Sequence, residues 1–200
     1  MTFGIDEMPS VVMLSASVIF LIIVSISVFF GRSHVELPER RTGRLGEEFA
    51  TTVISEILRD EDVLMSNVPI FASGQEAELD NVVINKRGLF VIEVKNWGGQ
   101  VLGSEGDEEW LANNGAITVK NPILQVKRQT AILSDLLTQN RIDAPVKGYV
   151  FFVNQNSQVE SDHILRTRND MDAAIHDESG DVLAEWIVER IAQLLEEQAS

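Results

Sequence analysis

Two charged residues within an apolar strand are the first candidates for chemistry in this sequence. Glu93 and Lys95 lie in the run 89–96, LFVIEVKN, whose other residues predict a buried strand. Because side chains alternate along a strand, Glu93 and Lys95 share one face. Placing a carboxylate and an ammonium there costs several kcal/mol unless they pair or bind something. The strand alone leaves two interpretations open, a structural ion pair and a functional site.

The preceding predicted strand, 78–85, contributes a second carboxylate, Asp80. If the connection to the next strand is a four-residue loop, 85–88, then Asp80 lies opposite Glu93. If only Arg87 and Gly88 turn, it lies opposite Lys95 instead. Either even-length loop places all three charged side chains on one face, whereas a three-residue loop would separate them.

Two carboxylates and a lysine on an apolar sheet suit a magnesium site. Mg²⁺ prefers oxygen ligands, and proteins usually hold it through one or two carboxylates together with a substrate phosphate. Asp80 and Glu93 would supply those oxygens to Mg²⁺ or to Mn²⁺. Lys95 would orient or deprotonate the attacking water and offset charge on the scissile phosphate. The chemistry indicated is metal-assisted attack of water on a phosphate group.

A wider set of residues resembles a known family. Its elements, in order, are Gly43-x-x-Gly46-Glu47, Glu78-Leu79-Asp80, the run Phe90 to Asn96, Trp110 and Asn121-Pro122-x-x-Gln125. Together they resemble the nuclease-related domain (NERD) family of the PD-(D/E)xK restriction-endonuclease-like superfamily, over about residues 42–153. One departure is Leu79, which stands where the superfamily's name places proline.

The resemblance implies an α/β fold of the restriction-endonuclease type, with a central mixed sheet flanked by helices. It also implies that Glu47 is a helix-borne acid, that Asp80 and Glu93 bind the metal, that Lys95 is the catalytic lysine and that Gln125 is a helix-borne polar partner. Nucleic acid is the implied substrate; we favour DNA over RNA, and the sequence does not decide between them. The alternative is a non-catalytic adaptor that binds nucleic acid or a protein on the same scaffold.

Helical periodicity predicts which acid faces the sheet. The helix over 43–58 carries an apolar stripe composed of Leu45, Phe49, Ala50, Val53, Ile54, Ile57 and Leu58. Glu47 extends that stripe, whereas Glu48 lies on a polar face. In the second predicted helix, Gln125 and Gln129 lie on one stripe, and the family motif favours Gln125.

The remaining pattern predicts one α/β layer structure built on a central sheet. Strands are predicted over 63–71, 79–84, 89–96, 100–103 and 146–153, a hairpin over 110–119, and helices over 122–140 and 181–197. The terminal helix is expected to cap the sheet rather than join a partner chain. Trp97 and Trp110 are expected to pack in the core or the hairpin.

Charge and composition exclude several classes of function. The net charge of −15 argues against non-specific coating of nucleic acid. It does not exclude a local cleft, because residues 155–200 hold eleven acids and three bases, whereas 36–154 hold eighteen acids and twelve bases. The absence of cysteine excludes thiol catalysis and cysteine-ligated zinc. Three scattered histidines disfavour a histidine-rich metal site.

The uncharged run 11–30 predicts a transmembrane helix that follows an N-terminal tail, 1–10. Its 20 residues span roughly 30 Å, one bilayer core. No Lys or Arg precedes the run, which disfavours a cleaved signal peptide. The arginines that follow it predict an extracytoplasmic N-terminus and a cytoplasmic C-terminal domain. Beyond the linker, 31–42, we predict a nuclease-related domain over 43–153 and an acidic extension with a terminal helix over 154–200.

Overall fold

The computed structural model describes residues 38–179 and 182–199. Within them the helices are α1 Pro38–Ser55, α2 Pro122–Gln139, α3 Arg168–Ile175 and α4 Glu185–Gln198. The strands are β1 Val63–Ala72, β2 Gln75–Asn85, β3 Gly88–Lys95, β4 Glu109–Ala112, β5 Ile117–Lys120, β6 Val146–Phe152 and β7 Ile164–Leu165.

A five-stranded mixed sheet forms the centre of this unit, in the order β1-β2-β3-β6-β7. Strands β1, β2 and β3 pair antiparallel, whereas β3 with β6 and β6 with β7 pair parallel. A parallel pair needs a crossover connection, and the chain between β3 and β6 contains helix α2. The predicted hairpin over 110–119 forms as the separate pair β4–β5, which turns through left-handed Asn113, Asn114 and Gly115.

Helices cover both faces of the sheet, so the predicted α/β architecture is confirmed. On one face, α2 and α4 bury side chains such as Leu133 and Leu195 against β1, β2 and β3. On the other face, α1 and α3 bury Ile54 and Met171 against Phe90 and neighbouring apolar residues. Strand β3 is buried on both faces, which explains its nearly continuous apolar sequence.

The edge hairpin β1–β2 departs from regular side-chain alternation beside Asp80. Asn67 has a left-handed backbone, with φ of 53°, and lies opposite Asp80 in the register. Met65 and Val68 on either side of it both reach the core under α2, although regular alternation would separate them. Asparagine tolerates this left-handed conformation better than most residues.

Three predictions about elements were wrong or incomplete. Residues 100–103 form no strand, because Gly103 fits closely against the Trp110 ring and only isolated bridges link Val101 to Ser157 and Leu102 to Leu111. The short elements β7 and α3 were not predicted. The third error concerns α1, where Leu45 and Phe49 are each 48% exposed rather than part of the buried stripe.

The C-terminal helix caps the sheet, as predicted. Val188, Ile191, Leu194 and Leu195 of α4 are buried in the same core as β1 and β2. The predicted membrane span 11–30 lies outside the described residues. Among the residues that are described, no helix is both long and apolar enough to cross a membrane.

Candidate active site

The β2–β3 hairpin aligns the two carboxylates. Asn81 pairs with Ile92 and Asn85 with Gly88, so the next position places Asp80 opposite Glu93. This register is the one expected for the four-residue connection. Gly88 is required at the turn, since its φ is 131° and a Cβ there would lie 2.4 Å from the Pro145 carbonyl oxygen.

Asp80 occupies a site that disfavours its charge. Burial, followed by repulsion from the Glu93 carboxylate, raises the pKa of Asp80 from 3.8 to about 7. The backbone N–H of Val94, which donates to Asp80 Oδ2 at 2.8 Å, and the Lys95 ammonium partly offset this rise in pKa. A further cation close by would stabilise the ionised form of Asp80.

Glu93 is held by three side chains. Its own side chain is only 2% exposed. The Lys95 ammonium donates to Glu93 Oε1 at 2.5 Å, and the Gln125 amide donates to the same oxygen at 2.7 Å. The Gln129 amide donates to Glu93 Oε2 at 2.7 Å. The structure thus brings Asp80, Glu93, Lys95 and Gln125 together, as predicted.

Gln129 also belongs to the candidate site, although the family motif favoured Gln125. Its Nε2 donates both to Glu93 and, at 2.9 Å, to the Glu78 carbonyl oxygen. These two acceptors fix the amide orientation, and its Oε1 is then buried without a partner among the described residues. The available signal was its position one helical turn after Gln125 on the same stripe.

Helix α1 presents Glu47 to the site because it packs closely on the end of β3. A Cβ at Gly46 would lie 2.6 Å from the Asn96 Cβ, so only glycine permits this approach. Asn96 also donates to the Thr42 carbonyl oxygen at 2.8 Å. Glu47 is half-buried and its charge further raises the pKa of Asp80, which places the two carboxylates near each other.

Glu48 faces away from the site, as predicted. Its carboxylate pairs with Arg44 at 2.6 Å, and both side chains are more than half exposed. Such surface pairs contribute little to stability.

Helix α2 starts at a cap that sets the position of Gln125. Asn121 accepts the backbone N–H of Ile123 at 2.8 Å, and its Nδ2 donates to the carbonyl oxygens of Glu105 and Asp107. Pro122 follows in the first turn, where a missing N–H has no cost. The Asn-Pro pair of the motif thus anchors the start of the helix that carries both glutamines.

The donor set fits a hard divalent cation. The candidate ligands are the carboxylates of Asp80 and Glu93, and the unpartnered amide oxygen of Gln129 adds a neutral oxygen nearby. Burial, followed by repulsion from Glu93, raises the pKa of Asp80, and a bound cation would offset both effects. Among the described residues, no three or more His, Asp or Glu side chains are grouped so that they could hold a metal ion.

The mixed sheet, its flanking helices and the trio of Asp80, Glu93 and Lys95 are consistent with the PD-(D/E)xK-like superfamily. A family model of the nuclease-related domain matches residues 42–153, more than half of the chain. The chain therefore belongs to the nuclease-related domain family.

A curated relative covers less of the sequence. An uncharacterised protein of Bacillus anthracis is 30% identical over 69 residues, which amount to 34% of this chain and 32% of that protein. The match therefore spans about a third of each chain. No solved structure matches.

Proposed function

We propose that this protein is a membrane-anchored, Mg²⁺-dependent nuclease that hydrolyses phosphodiester bonds in nucleic acid. The observation that carries the proposal is the convergence of Asp80, Glu93 and Lys95 in one partly buried cluster. A purely structural ion pair needs neither the adjacent Asp80 nor a pKa of that carboxyl near 7. Membership of the nuclease-related domain family supports the same reaction class.

In the proposed reaction, Asp80 and Glu93 would hold the cation, Mg²⁺ or Mn²⁺. When bound, that cation supplies Lewis-acid activation of water and phosphate. Gln125 and Gln129 fix the Glu93 carboxylate through their amide donors. The Lys95 ammonium lies against the same carboxylate, where it can orient the attacking water and offset charge on the phosphate.

Glu47 completes the acidic side of the proposed site. Its position beside Asp80 increases the local negative charge, which favours binding of a cation. At a pKa of about 7 for Asp80, protons and metal ions compete for this carboxylate near neutral pH. We therefore expect metal affinity to rise as pH increases from about 6 to about 8.

The anchor and the location are also part of the proposal. The uncharged run 11–30 would form a single membrane span, and the arginines after it would retain the nuclease domain in the cytoplasm. DNA is the proposed substrate, with RNA as the other nucleic acid to be tested.

A cleavage assay on the full chain in detergent tests this proposal. Single-stranded DNA, double-stranded DNA and RNA are each incubated with Mg²⁺, with Mn²⁺ and with EDTA. We expect cleavage of DNA that requires a divalent cation and stops in EDTA. Intact substrate under every condition would contradict the nuclease assignment.

The non-catalytic adaptor is a second candidate because Glu93 already has its hydrogen bonds satisfied. Lys95, Gln125 and Gln129 occupy both of its oxygens within the protein. A carboxylate whose two oxygens both accept hydrogen bonds within the protein is compatible with a non-catalytic binding scaffold. Filter binding in the same assay distinguishes the two candidates, since an adaptor retains nucleic acid without cleaving it and without requiring a divalent cation.

A further inference from the structure

The Lys95 ammonium has a second neighbour besides Glu93. Its Nζ lies 5.7 Å from the centre of the Trp97 ring, within the range of a cation–π contact. The Lys95 side chain is only 17% exposed, so solvent screens this contact weakly. Glu93 and Trp97 together therefore define the position of the ammonium group.

Trp97 itself rests on an aromatic column. Its ring centre lies 5.9 Å from that of Phe152 in a tilted arrangement, and Phe152 stacks on Trp110 with centres 6.4 Å apart. The Trp110 indole is fixed in turn, because its Nε1 donates to the Ser104 carbonyl oxygen at 2.8 Å. The column thus extends from the β4–β5 hairpin to Lys95.

Asparagine side chains fix the backbone of Trp97. Asn154 donates to the Trp97 carbonyl oxygen at 2.9 Å, and Asn156 donates to the same oxygen at 2.7 Å. Asn154 also donates to Asn96 Oδ1 at 2.9 Å. Two amide groups donate to the Trp97 carbonyl oxygen, which restricts the backbone of this residue. The indole is therefore held through its backbone as well as through its ring contacts.

We infer that Trp97 is a positioning residue for Lys95, holding the ammonium group where the proposed hydrolysis needs it. The inference rests on the proposed function, since Lys95 has a catalytic role only there. Trp97 acts through Lys95, and the aromatic column below it prevents the indole from moving away. Trp110 and Asn154 support this arrangement from the hairpin and from the end of β6.

Lysine NMR tests the arrangement without any assay of activity. The chain contains only five lysines, so ¹³C-lysine labelling of the full chain in detergent gives a simple spectrum. We expect an upfield ring-current shift of the Lys95 side-chain signals, assigned by their loss in Lys95→Arg. Trp97→Leu should remove that shift. Lys147, whose Nζ lies 5.9 Å from the Phe90 ring centre, should keep its own shift and so reports that the fold is intact.

Kinetics test whether the arrangement serves catalysis. Loss of the contact should lower kcat about tenfold with little change in KM, because a misplaced ammonium still allows substrate to bind. Trp97→Phe, which keeps a smaller aromatic face, should recover part of kcat. Asn154→Leu, outside the ring contact, should lower kcat by a smaller factor through the Trp97 carbonyl. Trp186→Leu is the matched control, as this tryptophan is 68% exposed on α4.

The outcomes separate this inference from the proposed function. An unshifted Lys95 signal in the wild type, or an unchanged one in Trp97→Leu, would overturn the arrangement. A lost shift with unchanged kcat would overturn the positioning role while leaving the nuclease proposal standing. A wild type that cleaves nothing would overturn the nuclease proposal and the positioning role together, whereas the NMR result would still decide whether Trp97 holds Lys95.

Discussion

Replacing Asp80 by asparagine should stabilise the metal-free protein at alkaline pH. The neutral amide keeps an oxygen that can accept the Val94 N–H, but it removes the buried charge facing Glu93. Because folding raises the pKa of Asp80 from 3.8 to about 7, the folded chain binds this proton more tightly than the unfolded chain. The resulting stability is fully present below the unfolded value and is lost as pH rises towards about 7.

The magnitude follows from the width of that interval. Each pH unit between the two pKa values changes the free energy of unfolding by about 1.4 kcal/mol. Between about pH 5 and about pH 8, ionisation of Asp80 should therefore remove about 2–3 kcal/mol from the wild type. Asp80→Asn lacks this titration, so its stability should exceed that of the wild type increasingly across the same interval.

Urea unfolding of a fragment comprising residues 36–200, in EDTA at a series of pH values, measures this difference. The fragment contains the compact unit that starts at Arg41. Adding Mg²⁺ at about pH 8 should restore more stability to the wild type than to Asp80→Asn, because a carboxylate binds a divalent cation more strongly than a neutral amide does. If the free energy of unfolding varied with pH in parallel for the two proteins, the raised pKa of Asp80 and its proposed role in metal binding would be refuted.

Three further predictions test the orientation of α1, the burial of its side chains and the proposed membrane topology. Glu47→Gln should lower cleavage or shift its metal dependence. Glu48→Gln should leave turnover unchanged and alter the free energy of unfolding by at most about 0.5 kcal/mol. The reverse result in cleavage and denaturation assays would mean that α1 is rotated. Ile54→Ala should cost about 3 kcal/mol in urea unfolding, against at most about 1 kcal/mol for Leu45→Ala, and equal losses would show that Leu45 is buried. Protease added outside spheroplasts should spare residues 36–200, and their digestion would contradict the proposed topology.

The sequence predicted the centre of the site because strand alternation leaves few choices. Once Glu93 and Lys95 lie on one strand face, any even connection brings Asp80 to the same face. Helical periodicity separated Glu47 from Glu48 in the same way, since adjacent residues point about 100° apart. These are local rules, and the β2–β3 register in the structure follows the first of them.

Tertiary contacts decided what local rules could not. Gln129 and Gln125 are equivalent in a helical pattern, and only the approach of Glu93 and the Glu78 carbonyl shows that both are used. The left-handed Asn67 depends on its partner strand, and propensity alone does not select it. Leu45 looked like a core residue by spacing, yet the close approach of Gly46 to Asn96 turns it towards solvent.

Comparison of the wild type with Lys95→Ala and Lys120→Ala in a Mg²⁺-dependent DNA cleavage assay tests the central claim most directly. Lys120 is an exposed lysine at the end of β5, whereas Lys95 contacts Glu93 inside the cluster. We expect Lys95→Ala to fold and to lose cleavage by at least about a hundredfold, and Lys120→Ala to cleave like the wild type. Equal cleavage by all three proteins would identify a contaminating nuclease and contradict a catalytic site built from Asp80, Glu93 and Lys95.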